Sequence, residues 1–267
     1  MEDNGGMTFW DHLDALRAVL LRVAVVVAVL ATAAFVAMPW IFDNFIMAPC
    51  SASFSTYRLF DSIAAATGFS ELATASDFTV DIVSIELASQ LFVHMAAAGW
   101  TAFLFGFPII IYLLWGFVSP GLHEHERRGA VRAFLFGNVM FYLGVAVGYM
   151  LVFPLALRFL ADYRLSEAIR PIVSLDSYMD NFFTLLVSMG AVFELPLVAW
   201  LLGKIGVLRR SFFSRYRRHA IVVLLILAAI VTPTGDPFTL FIVFLPVYAL
   251  WEAAALLVPR DESEPEI

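Results

Sequence analysis

The chain has 267 residues, 61% of them hydrophobic and 15% charged, with a mean hydropathy of +0.86. Soluble domains run at about 45–50% apolar and about 25% charged, so this composition cannot supply an ordinary water-facing surface, and it excludes disordered, collagen-like and disulfide-rich chains. A net charge of −7 argues against nucleic acid as a partner, and the single Cys50 has no second cysteine to pair with.

An all-α polytopic membrane protein is what remains. Long continuous apolar runs, rather than short alternating ones, point to helical spans and not to a barrel. In chain order, the first element is an amphipathic helix. Phe9, Leu13, Leu16 and Leu20 share one of its faces, and Thr8 with Asp11 has the spacing of a capping box. It is expected to lie in the inner headgroup region and bend into the first span. Six spans are predicted, at residues 19–41, 89–118, 133–160, 178–203, 219–232 and 238–257, on the requirement of about 20 apolar residues per crossing. The last two are short and form a hairpin turned by Pro233, Gly235 and Pro237. Pro108, Pro154, Pro196 and Pro246 bend the spans, so a curved bundle is expected.

Residues 43–88 read as an outer cap rich in Ser, Thr and Ala, with a second outer loop at 161–177 and an inner tail at 259–267. Twelve of the sixteen cations fall on the side that carries both termini, which the positive-inside rule makes cytoplasmic. Acidic residues before the first span, its length and the lack of a small-residue cleavage site argue against a removable leader.

Few residues carry chemistry. His123, Glu124, His125 and Glu126 alternate along the chain and so point to different helix faces, which reads as a solvated loop; neither metal nor cofactor is expected. Glu194 stands near the middle of the fourth span, where a charge costs about 2.5–3.5 kcal/mol on insertion scales. Pro196, two residues on, cannot bond the Val192 carbonyl. Carboxylate and freed carbonyl make a polar notch at mid-membrane. His94, near the outer end of the second span, reads as a surface-level histidine.

Four separated motifs together resemble the TatC family, the multispanning subunit of the twin-arginine protein translocase. They are His12-Leu13 with Leu16-Arg17; Trp115 and Phe117 followed by Pro120, Leu122 and His125-Glu126-Arg127-Arg128; Phe193-Glu194-Leu195-Pro196; and Thr232-Pro233 with Asp236. Pro49 fits the first outer loop of the family. The resemblance implies a receptor for signal peptides with paired arginines. It also implies single-span partners, TatA-like and TatB-like, self-association, a prokaryotic cytoplasmic membrane, and export driven by the proton gradient without an enzymatic site of its own. It assigns signal-peptide binding to Glu126, Arg17 and Phe117, and a partner or intramembrane polar site to Glu194, Pro196, Asp236 and Pro49.

Two positions depart from the family pattern. A Glu commonly precedes the amino-terminal Arg by two residues, and here that position is Ala15. Asp14 is adjacent but rotated by about 100° around the helix; Asp11 is only about 40° away but one turn earlier. Asp14 is taken as the stand-in, with Asp11, or Glu126 acting alone, as the other options. A partner-contacting Gln found in some members is Leu240 here. The alternative from another class is a proton-coupled small-solute transporter using Glu194. It would be expected to show inverted repeats, and no clear repeat is visible.

Overall fold

The computed structural model describes residues 9–67, 79–118, 124–166, 172–204 and 206–258. Its helices are α1 (Phe9–Ile41), α2 (Ser55–Thr67), α3 (Ser89–Val118), α4 (Glu124–Val147), α5 (Phe153–Asp162), α6 (Leu175–Val192), α7 (Leu195–Lys204), α8 (Arg210–Arg215), α9 (Arg217–Val231) and α10 (Pro237–Leu257). Two short strands, β1 (Ile82–Val83) and β2 (Val173–Ser174), pair in parallel. The protein is all-α in class. Among the described residues, five helical stretches are long and apolar enough to cross a membrane: Leu13–Cys50, Ser89–Phe117, Ala133–Asp162, Leu175–Lys204 and Pro237–Leu257. The run expected at 219–232 forms α9, with 15 residues. That is about 22 Å at about 1.5 Å per residue, short of the roughly 30 Å of hydrocarbon.

Contacts divide the chain into two compact units, Met1–Met38 with His94–Asn138, and Pro39–Val93 with Val139–Ile267. In the first unit α1 and α3 run antiparallel. A methyl at Gly106 would come within 2.9 Å of Leu30 Cδ1, while nearer the start of α3 the His94 ring stacks on Phe35 at 3.9 Å. Pro39 has no N–H for the Phe35 carbonyl one turn earlier, and His94 Nε2 meets that carbonyl at 2.9 Å. A carbonyl only accepts, so Nε2 carries the proton. The expected surface-level histidine thus closes the gap that a proline opens in α1. Tyr112 of α3 meets Phe134 of α4 edge-on at 6.3 Å, which pairs these helices as a hairpin.

The second unit repairs another proline in the same way. Pro154 opens α5 and leaves the Met150 carbonyl without its helical donor; Thr56 Oγ1 donates to it. The backbone from Gly148 to Val152 widens into a π-helical turn, as does Phe42–Ile46 after α1. Two buried tyrosines hold the chain around these turns. Tyr57 Oη lies 3.0 Å from the Pro49 carbonyl and 3.1 Å from that of Pro154, and Tyr178 donates to the Ile46 carbonyl. Tyr149, Phe153, Tyr178 and Phe182 pack edge-to-face and stacked beneath them. The segment expected as an outer cap contains α2, a 3₁₀ turn at Ala48–Cys50 and β1.

Close approach of α4 and α6 rests on glycine. A methyl on Gly144 would stand 2.5 Å from the Met189 carbonyl oxygen and 2.7 Å from Phe193 Cβ; one on Gly190 would stand 2.7 Å from the Phe141 ring. Small residues spaced four apart, as Gly144 and Gly148 are, let apolar helices approach backbone to backbone. Gly99, by contrast, has nothing within 4 Å of the same methyl. Thermal unfolding in detergent should therefore separate two identical substitutions. Gly144→Ala is expected to cost about 1–3 kcal/mol through overpacking, and Gly99→Ala to be neutral or to gain up to about 1 kcal/mol from helix propensity.

Candidate functional site

The residues singled out in the sequence fall into two sets, one on each unit. Asp14, Arg17, Phe117 and Glu126 belong to the first. Asp14 and Arg17 are exposed on the second and third turns of α1, Phe117 is half-buried at the end of α3, and Glu126 falls in the first turn of α4. The side chains of Asp11, His12 and Glu126 lie outside the described residues, as do Thr8, Pro120, Leu122 and His123.

Antiparallel packing decides toward which end of the first unit the four positions lie. From the Leu30–Gly106 contact, Asp14 is 16 residues back along α1 and Phe117 is 11 residues on along α3. At about 1.5 Å per residue these are displacements of roughly 24 Å and 16 Å in the same direction. Glu126 precedes Phe134 by eight residues, and Phe134 pairs with Tyr112, so it lies toward that same end. The start of α1, the end of α3 and the start of α4 therefore lie toward one end of the first unit. An acidic residue in the first turn of α4 is also favoured by the positive end of the helix dipole.

Glu194, Pro196, Asp236 and Pro49 belong to the second unit. Helix α6 stops at Val192 and α7 starts at Leu195, so Phe193 and Glu194 form a turn inside one apolar stretch. The Glu194 N–H bonds the Ala191 carbonyl at 3.1 Å, and the Glu194 carbonyl accepts from Val198 at 3.0 Å. Pro196 is buried and brings no N–H to Val192. Glu194 is half-buried, and its Oε1 is buried with no partner among the described residues. A buried carboxylate oxygen without a donor is costly to leave so. The same turn is where Gly144 lets α4 touch Phe193, a packing feature that the spacing of Gly144 and Gly148 announces.

Asp236 is the N-cap of α10. Its Oδ1 accepts from the Thr239 N–H at 2.7 Å and its Oδ2 from Thr234 Oγ1 at 2.6 Å. Gly235 ahead of it takes a positive φ of 60°, which L side chains rarely adopt. Pro49 is fully buried, and its carbonyl faces Tyr57. At the other end of the hairpin, Glu252 of α10 binds Arg217 of α9 at 2.8 Å and accepts from Tyr248 at 2.8 Å. No group of three or more His, Cys, Asp or Glu stands close enough to hold a metal among the described residues.

A family model for TatC, the Sec-independent protein translocase protein, matches residues 11–246. The chain belongs to the TatC family. It is 32% identical to the TatC of Deinococcus radiodurans over 265 residues, covering 96% of this chain and 90% of that protein. It is 31% identical to the TatC of a Blattabacterium over 252 residues, 92% of each. A solved structure described as the twin-arginine translocase receptor TatC superposes with a TM-score of 0.72 at 25% identity, over 93% of this chain and 99% of the other. This is a multi-pass membrane protein of a translocase family.

The Asp236 cap has a pH signature. Burial pushes its carboxyl up, but bonds from Thr234 and from the N–H groups of Thr239 and Phe238 outweigh this and hold it below its ordinary value. A depressed folded value stabilises the protein above the unfolded value of about 3.9 and loses that contribution as pH falls through the lowered one. Thermal unfolding across pH 3–7 should show Asp236→Asn losing this acid-side decline. Asp236→Ala is expected to cost about 1 kcal/mol at neutral pH, the usual value of a helix cap.

Proposed function

We propose that the chain is the receptor and core subunit of a twin-arginine protein translocase. It binds signal peptides carrying paired arginines and assembles with TatA-like and TatB-like single-span subunits and with further copies of itself. Export is driven by the proton gradient. Family membership supports this reading, and the observation that carries it is the antiparallel packing of α1 and α3, which puts the start of α1 toward the same end of the first unit as the end of α3 and the start of α4. Two segments with carboxylates, Asp14 and Glu126, then serve one ligand.

The chemistry suits guanidinium. Arginine offers a planar fork that bonds a carboxylate through two parallel N–H groups, which an ammonium cannot reproduce. Such a charged bond is worth about 1.5–3 kcal/mol when shielded from water. Phe117 supplies an apolar contact for the peptide beyond the arginines, and Arg17 orients the neighbouring acid. Glu194, with an oxygen that no described donor meets, offers a hydrogen-bonding partner to an inserted helix of a subunit or of the signal peptide. Pro196 and Pro49 act through the backbone turns they impose.

Precursor binding to the purified protein tests the receptor reading. Glu126→Gln is expected to weaken binding about 5- to 150-fold, the equivalent of about 1–3 kcal/mol, and Asp14→Asn to weaken it less. Glu194→Ala should leave the protein folded and reduce export. Unchanged binding in both the Glu126 and Asp14 variants overturns the assignment.

The cation count supports an orientation with both termini in the cytoplasm and the protein in the cytoplasmic membrane. Single cysteines in place of Ser166 and Ser211, in a chain where Cys50 is replaced by Ala, report it. A membrane-impermeant maleimide added to intact cells is expected to label position 166 and to reach position 211 only after lysis.

A further inference from the structure

Between α7 and α9 the chain carries Lys204, Arg209, Arg210, Arg215, Arg217 and Arg218, and no Asp or Glu occurs from Leu195 to Gly235. Glu252 of α10 reaches this surface and pairs with Arg217 at 2.8 Å. The cations are held in place by packing. Phe213 of α8 is buried against Ala199, Ala254 and Val258, with Trp251 beside it. Anchored by that ring, α8 leaves Arg215 exposed, followed by Arg217 and Arg218 on the first turn of α9.

The surface also lies at a defined depth. It sits where two apolar helices stop and start, α7 at Lys204 and α9 at Arg217, which is the level of headgroups in a bilayer. Aromatic rings accompany the cations there: Lys204 Nζ stands 5.5 Å from the Trp200 ring and Arg215 5.9 Å from the Tyr216 ring. Amphipathic rings beside basic side chains are the signature of a membrane–water boundary. At 15 residues α9 is shorter than the hydrocarbon, a mismatch that bilayers accommodate by local thinning or by flanking basic side chains that snorkel to the headgroups.

We propose that Lys204, α8 and the first turn of α9 form a docking surface for anionic phospholipid headgroups. Guanidinium recognises the phosphate through paired N–H groups, and the excess positive charge selects lipids with a net negative headgroup over zwitterionic ones. Each basic side chain near a headgroup surface contributes about a fivefold gain toward anionic lipid. The proposal is independent of signal-peptide binding, because no precursor takes part in it.

The test uses the full chain reconstituted into mixed vesicles of phosphatidylglycerol and phosphatidylcholine. Spin-labelled versions of each lipid report their relative association with the protein. The wild type is expected to prefer phosphatidylglycerol by about fivefold or more, less so in high salt. The triple variant Arg210→Gln, Arg215→Gln, Arg218→Gln should lose most of that preference while keeping its helical circular dichroism. The triple Arg→Lys variant, which keeps the charge, should retain most of it, and decides the matter if the Gln variant fails to fold. No preference in the wild type, or the same preference in wild type and folded Gln variant, overturns the proposal. So does a preference that emerges only when Asp261, Glu262, Glu264 and Glu266 are neutralised.

Discussion

Inside a bilayer a backbone carbonyl has no water to turn to, and this protein places prolines in or at the ends of most of its apolar stretches. Inside a helical stretch, each removes an N–H that the carbonyl four residues earlier would have used. Much of the tertiary structure answers that loss. His94 meets the Phe35 carbonyl released by Pro39, and Thr56 meets the Met150 carbonyl released by Pro154. Two buried tyrosines take up further carbonyls where α1 and α5 meet irregular turns. The bends at Pro39 and Pro154 are therefore pinned, each by a donor from another part of the chain.

Pro196 stands apart from this pattern. At the break between α6 and α7 the adjoining side chain is itself an acceptor, Glu194, and one of its oxygens is buried with no partner among the described residues. The packing around the break is tight, because Gly144 brings α4 against Met189 and Phe193. A close-packed turn with a buried acceptor oxygen that no described donor meets differs in kind from a repaired bend.

The expectation of two short last helices holds for α9 alone, since α10 has 21 residues, and the two ends of the hairpin show how this unequal pair is kept in register. Asp236 caps α10 at the turn, and Glu252 ties α10 to Arg217 and Tyr248 at the other end. Between them α10 packs on α7 and α9, and the Phe213 cluster joins α8 to the same group. Charge and capping do the aligning here because α9 is too short for apolar burial to set its depth alone.

Composition and periodicity were enough to establish a helical membrane protein, because no other class can bury so many apolar residues with so few charges. Local chemistry was equally legible: Pro196 predicts a break beside Glu194, and the Pro233–Pro237 turn predicts the hairpin. Four short motifs were enough for the family, since each holds residue types that an apolar span would otherwise avoid. Residues that act at a distance were not legible. Nothing local marks His94, Thr56, Tyr57 or Tyr178 as donors to carbonyls 8 to 132 positions away, because a hydrogen bond across helices depends on their registry and not on neighbours in sequence. The placement of the α1 start toward the same end as the end of α3 depends likewise on the antiparallel packing at Gly106 and Leu30, and Asp236 gained its role as a cap only when Gly235 turned the chain to start α10. Sequence decided which groups would lack partners; tertiary packing decided which of them would find one.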